Sequence, residues 1–181
     1  MCKPASMVVT KDRVYWSRTT DSHTEIIREY GLADNQDAAL IKHVAVEISP
    51  PNGMYAVPLD NWEFTVDQDL LPDWWDAEDA ERRVRAQLPA WAGAKLVVAG
   101  QIRDCVRDGE VIVSVLPGGT IKRVDGDTIE CVYGGTIKRV DGGTVQYYLA
   151  PPLAILQGDT AVLIDRSVFP PKCYVGRQTK S

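Results

Sequence analysis

Gly118-Gly119-Thr120-Ile121-Lys122-Arg123-Val124-Asp125 recurs letter for letter at residues 134–141. Between the copies stands Gly126-Asp127-Thr128-Ile129-Glu130-Cys131-Val132-Tyr133, and Gly142–Leu149 continues the series with Thr144, Val145 and Tyr148. Two worn octads follow, with apolar residues at the fourth and seventh places (Leu153 and Leu156, then Ala161 and Ile164), and Gly158-Asp159-Thr160 restores the opening. Residues 118–165 therefore hold an eight-residue register without insertion or deletion. Upstream, residues 108–116 match the same template, offset by Pro117. Self-similarity at a fixed short period is the signature of a repeat architecture.

Two geometries fit the octads. In a flat strand the fourth and seventh places point to opposite faces, because side chains alternate with period two. Ile121 and Val124 can both face inward only if the chain bends between them, as it does in a solenoid. The rival is an antiparallel β-meander, since Asp125-Gly126 and Asp141-Gly142 are pairs favoured in two-residue hairpins. A one-residue slip in a meander would flip every later strand, whereas stacked coils keep phase because each residue lies on its equivalent in the next coil. The expected fold is an α+β N-terminal domain followed by an all-β repeat region forming a short β-solenoid. The exact 16-residue duplication points to two octads as the unit.

The expected boundaries are an α+β head over 1–107, repeats with a C-terminal cap over 108–173, and a flexible tail over 174–181. In the head, Met7–Thr10 and Arg13–Trp16 read as strands around the turn Lys11-Asp12. Ser22-His23-Thr24-Glu25 is a capping box, Ile26, Ile27 and Tyr30 form a stripe, and Gly31 is a stop. His43–Ile48 and Trp62–Val66 alternate as strands do. A second helix is expected from Pro72 with Asp73 as cap. Its inner face would carry Trp74, Ala77, Ala80, Val84, Leu88 and Trp91, and its outer face the pairs Glu78–Arg82 and Glu81–Arg85.

Composition narrows the function classes. The chain has 181 residues, 45% hydrophobic and 25% charged, with a net charge of −5. An acidic balance argues against a nucleic-acid backbone as partner. No apolar run approaches the length of a membrane span, and no leader opens the chain, so a cytoplasmic location is expected. Cys2, Cys105, Cys131 and Cys173 are too scattered for a metal knuckle, which suits free thiols in a reducing compartment. The sixth octad place is Arg123, Cys131, Arg139 and Tyr147, where a calcium roll needs Asp, so neither a metal nor a cofactor is expected.

Candidate binding residues are the octad cations Lys122, Arg123, Lys138 and Arg139, expected two coils apart on one side. An acidic turn adds Asp67 and Asp69 with Trp75 beside them. For catalysis, loss of Met1 would expose Cys2 as a nucleophile with its own amine as base. Asp21-Ser22-His23 sets a possible general base beside an acid.

Cys2, Lys11-Asp12, Arg18 and Asp21 resemble the opening of the choloylglycine-type N-terminal nucleophile hydrolases. That likeness covers about 21 residues and implies amide hydrolysis by Cys2 with Arg18 and Asp21 in support; the family's later Asn and Arg elements have no counterpart. Asp21-Ser22-His23-x-x-Ile26-Ile27, Glu47-Ile48-x-Pro50, Pro58-x-x-x-Trp62 and Val66-Asp67-Gln68-Asp69-x-x-Pro72-x-Trp74 resemble uncharacterised bacteriophage and metagenome proteins that join such a module to octapeptide repeats. This second likeness spans nearly the whole chain and implies a phage origin and action inside the host, and it carries over no functional residues. The expected function is a non-enzymatic interaction protein binding a host protein, such as a defence component, or a small anionic ligand. An amidohydrolase-like enzyme with Cys2, Arg18, Asp21 and His23 is the alternative.

Overall fold

The computed structural model describes residues 5–32, 41–107, 109–149 and 155–176. The chain divides into two units, Met1–Ala92 and Gly93–Ser181. The first is α+β, and the second contains a β-solenoid of about 4 turns over residues 96–165.

In the head, β1 (Ser6–Thr10) and β2 (Val14–Tyr15) form the expected hairpin. They are followed by α1 (His23–Glu29), β3 (His43–Ser49), β4 (Glu63–Val66) and α2 (Ala77–Lys95). The strands make an antiparallel sheet in the order β2-β1-β3-β4, so β3 is held on both edges. Met7, Ile26, Val46, Ile48, Val84, Leu88 and Trp91 are buried, and the Trp62 and Trp91 rings meet edge to face with centroids 5.8 Å apart.

Both helix starts differ from the sequence reading. The capping box at α1 does not close: Ser22 makes no side-chain cap, its own N–H donates to Thr20 Oγ1 at 3.0 Å, and Glu25 turns to Arg28 at 2.7 Å. With the Ser22 amide already satisfied, Glu25 has nothing to gain by folding back. α2 starts at Ala77, not Pro72, because Asp76 is the residue that caps it, accepting from the Asp79 amide at 3.0 Å. Trp74 therefore lies off the helix and donates its indole N–H to Ile41 O at 3.1 Å. Along α2, Glu81–Arg85 forms at 2.6 Å, while Arg82 turns to Asp79 and not to Glu78.

The repeat unit contains β5 (Leu96–Val97), β6 (Ile102–Arg107), β7 (Ile112–Val115), β8 (Thr120–Asp125), β9 (Thr128–Val132), β10 (Thr136–Ile137), β11 (Arg139–Val140), β12 (Gly143–Tyr147), β13 (Ile155–Leu156), β14 (Ala161–Asp165) and β15 (Lys172–Val175). Its coil strands pair in parallel, which excludes the meander. One sheet runs β15-β14-β12-β9-β7-β5; the other runs β10-β8-β11-β13, with β6 on β8. Thr136 lies beside Thr120, Val140 beside Val124 and Val145 beside Ile129, each partner two octads along. One coil is thus two octads, and successive octads alternate between the sheets. The expected boundary at 107/108 moves upstream, since β5 and β6 already pair with repeat strands. Tyr174 and Val175, assigned to the tail, belong to β15, which closes the sheet antiparallel to β14.

Ile121, Val124, Ile129, Val132, Ile137 and Val140 are fully buried in one core between the two sheets. Lys122 and Arg123 between them are exposed, as the bend requires. The pattern changes in two later octads. Tyr147 is buried and Tyr148 exposed; Leu163 is buried and Ile164 only half-buried. The register of β12 on β9 shifts between Val145 and Tyr147, so β12 runs flat, and in a flat strand the fourth and sixth places share a face. Gly143, at the second place of its octad, shows how tightly the corners stack. Its φ is +84°, and a Cβ there would come within 2.0 Å of Asp127 O on the preceding coil.

Candidate functional site

Two places in the head gather chemically capable side chains. The first is at the start of α1. His23 is buried, and its Nε2 lies 3.0 Å from Val46 O. A carbonyl can only accept, so Nε2 carries the proton and donates it. The other ring nitrogen, Nδ1, lies 3.2 Å from Asp67 Oδ2, and ligand atoms of His23, Glu47 and Asp67 all fall within 4.8 Å of one another.

Sheet hydrogen bonds hold these groups in place. Glu47 is buried on β3, flanked by Ser6 of β1 and Thr65 of β4. Asp67 follows β4 directly, and its N–H donates to Ala45 O at 2.9 Å, extending the ladder one step. Gln68 locks the turn, since its Oε1 accepts from the Ala45 amide at 2.9 Å. With Asp67 opposite Ala45, two places before Glu47, the carboxylates share one face of the sheet. Asp67 is 54% exposed, so the cluster opens to solvent on its side.

The second place is a cleft of about 590 Å³ lined by Arg13, Tyr15, Trp16, Arg18, Tyr30 and Glu29 among others. The Tyr15 and Tyr30 rings lie 4.9 Å apart, and the Tyr30 hydroxyl donates to Trp16 O at 3.0 Å. Burial, with the charge of Glu29 adding to it, raises the Tyr30 phenol above its ordinary range, so it stays a neutral donor. Among the described residues neither Arg13 nor Arg18 has a carboxylate within ion-pair distance.

The octad cations are placed otherwise than the sequence suggested. Lys122 and Arg123 stand on the coil adjacent to that of Lys138 and Arg139, not two coils away. They are also interleaved with acids. Lys122 Nζ meets Asp104 at 2.7 Å, and by hydrogen bonding holds that carboxyl below its usual range. Arg123 meets Asp125 at 2.8 Å and Asp141 at 2.6 Å, and Arg139 shares Asp141. Stacking sets the eighth-place Asp of one coil against the sixth-place Arg of its neighbour, so the stripe carries mixed charge. Asp69 is exposed, and Trp75 rests edge to face on Trp74 at 6.1 Å.

The groups of the hydrolase reading do not converge among the described residues. Cys2 lies outside them. Asp21 accepts from Trp91 Nε1 at 3.2 Å, His23 faces Val46 and Asp67, and Arg18 lines the cleft. Of the remaining thiols, burial, reinforced by Glu130, pushes Cys131 up to about 11, far from a thiolate at neutral pH.

Sequence reasoning missed Glu47 and Arg13. Glu47 had one signal, an acid inside an alternating apolar strand. Compared with known proteins, the chain matches no family model, and no curated protein or solved structure matches it significantly. No helix among the described residues is long and apolar enough to cross a membrane.

Proposed function

We propose that the chain is a binding protein whose head takes a small anionic ligand with a flat ring system, through the Arg13–Arg18 cleft. The observation that carries this is a pair of arginines with no carboxylate in ion-pair distance among the described residues, set with Tyr15, Trp16, Glu29 and Tyr30 on a protein of net charge −5. In the octad stripe, by contrast, Lys122, Arg123 and Arg139 are engaged by aspartates. A guanidinium presents paired donors that match phosphate or carboxylate, and aromatic faces supply the apolar contact for a ring. The cleft volume lies within the roughly 300–1,000 Å³ usual for small-molecule sites. The solenoid acts as a rigid, extendable support. The likeness of the head motifs to phage-encoded proteins favours a bacterial host cytoplasm as the setting, with a host nucleotide or similar anion as the ligand.

Adenosine monophosphate is a suitable probe, since it joins one phosphate to one stacking base. Trp16 lines the cleft, so titration should quench tryptophan fluorescence saturably. Arg18→Ala should weaken binding by about 10–100-fold, the value of a hydrogen bond to a charged group. Lys122→Ala should leave it unchanged. Quenching that survives Arg13→Ala/Arg18→Ala, or no saturable binding of any nucleotide, would defeat the proposal.

A further inference from the structure

We infer that His23, Glu47 and Asp67 form a binding site for one divalent first-row transition-metal ion, of the Mn2+ to Zn2+ series. Nε2 donates to Val46 O, so Nδ1 faces Asp67 Oδ2 across 3.2 Å, and a bare Nδ1 would direct its lone pair at a carboxylate oxygen. A lone pair and an anion at that distance repel unless a positive species lies between them. Only a proton or a metal cation fits. The second carboxylate, Glu47, converges on the same point from a central strand, with all three ligand atoms within 4.8 Å. A proton needs one acceptor there, whereas a metal ion uses all three groups.

The surroundings follow the usual logic of such a centre. A ligating histidine normally gives its other N–H to a backbone carbonyl or carboxylate, which fixes tautomer and ring orientation, and Val46 O does this here. Two ligands each about 2.1 Å from an ion lie at most about 4.2 Å apart, so the cluster needs only a small side-chain adjustment to close on one. His23 and Glu47 are 8% and 7% exposed, so the ion would rest on a dry floor. Asp67, half in solvent, provides the entrance and leaves the remaining coordination positions to water. One imidazole with two carboxylates suits Mn2+, Fe2+ or Zn2+ better than Mg2+ or Ca2+, which prefer oxygen alone. The sequence spacing of the acidic turn gives no hint of this, because the ligands come from α1, β3 and the end of β4. The inference is independent of the Arg13–Arg18 cleft, which shares none of these three residues.

The test is titration of the full-length protein with Mn2+, followed by the electron paramagnetic resonance signal of the free ion. Thiols are poor ligands for this metal, so the free cysteines do not interfere. One equivalent should be taken up per chain. Zn2+ should displace it at lower concentration than Mg2+, following the order of intrinsic affinities. Asp67→Asn, a change at a half-exposed position that leaves the fold intact, should weaken uptake by no less than the about 10–100-fold seen when an outer-shell partner is lost. His23→Gln, checked for folding by circular dichroism, should do the same. Absence of uptake, or uptake unchanged by Asp67→Asn, would overturn the inference and leave the gap to a proton in a simple His–Asp ion pair.

Discussion

Ile129→Asp is expected to unfold the repeat unit, while Thr128→Ser, one residue away, should be nearly silent. Ile129 is fully buried in the core between the two sheets and stands in register with Ile112 on one side and Val145 on the other. A carboxylate there has no cation to meet and no water to solvate it. The cost combines lost apolar burial with desolvation of a charge, roughly 4 kcal/mol or more, a large part of the about 5–15 kcal/mol that holds a domain together. Thr128 is only half-buried, and Thr128→Ser removes one methyl group, for well under about 1 kcal/mol. Far-ultraviolet circular dichroism and thermal melts of the two variants should separate them clearly. Equal stability would mean that the fourth octad place does not face the core.

Deleting residues 126–141 should leave a folded, shorter protein, and deleting 126–133 alone should not. The first deletion removes one whole coil and rejoins Asp125 to Gly142, so every later strand stays in its own sheet. Because each coil contacts only its neighbours, the loss is one coil and one interface. The second deletion turns everything downstream by half a coil. The flat strands β12 and β14, with Tyr147 and Leu163 inward, would then fall in the sheet whose strands bend at Lys122 and Lys138. The β15 cap would follow them. A cooperative melt for the longer deletion and a broad, non-cooperative one for the shorter are the expected results. The opposite ranking would contradict a coil of two octads.

The repeat half was legible because one short rule governs it. Ile121, Val124 and Ile129 each meet their own equivalent in the next coil, so a pattern visible along the chain is the same pattern met in space. The rule failed where its physical basis failed. Tyr148 and Ile164 occupy the seventh place, yet β12 and β14 are flat and turn Tyr147 and Leu163 inward instead. The charge stripe was misread for a related reason: Arg123 and Asp141 are far apart in sequence but are neighbours once coils stack. In the head, strands and helices could be placed from periodicity, though their starts depend on which acid or hydroxyl wins the cap. The candidate sites could not be placed. His23, Glu47 and Asp67 lie on separate elements joined only by sheet order, and nothing local marks Arg13 and Arg18 as meeting no carboxylate among the described residues.

The octads stack in parallel at a spacing of two. In the structure Thr136 N–H donates to Gly119 O, Lys138 N–H to Ile121 O and Thr144 N–H to Asp127 O, all with one constant offset. Nuclear Overhauser spectroscopy of the isotopically labelled protein reads this directly. Backbone cross-peaks should link Thr120 with Thr136, Val124 with Val140 and Thr128 with Thr144. Cross-peaks joining Arg123 to Thr128 and Ile121 to Glu130, the antiparallel ladder of a hairpin turning at Asp125-Gly126, would contradict it.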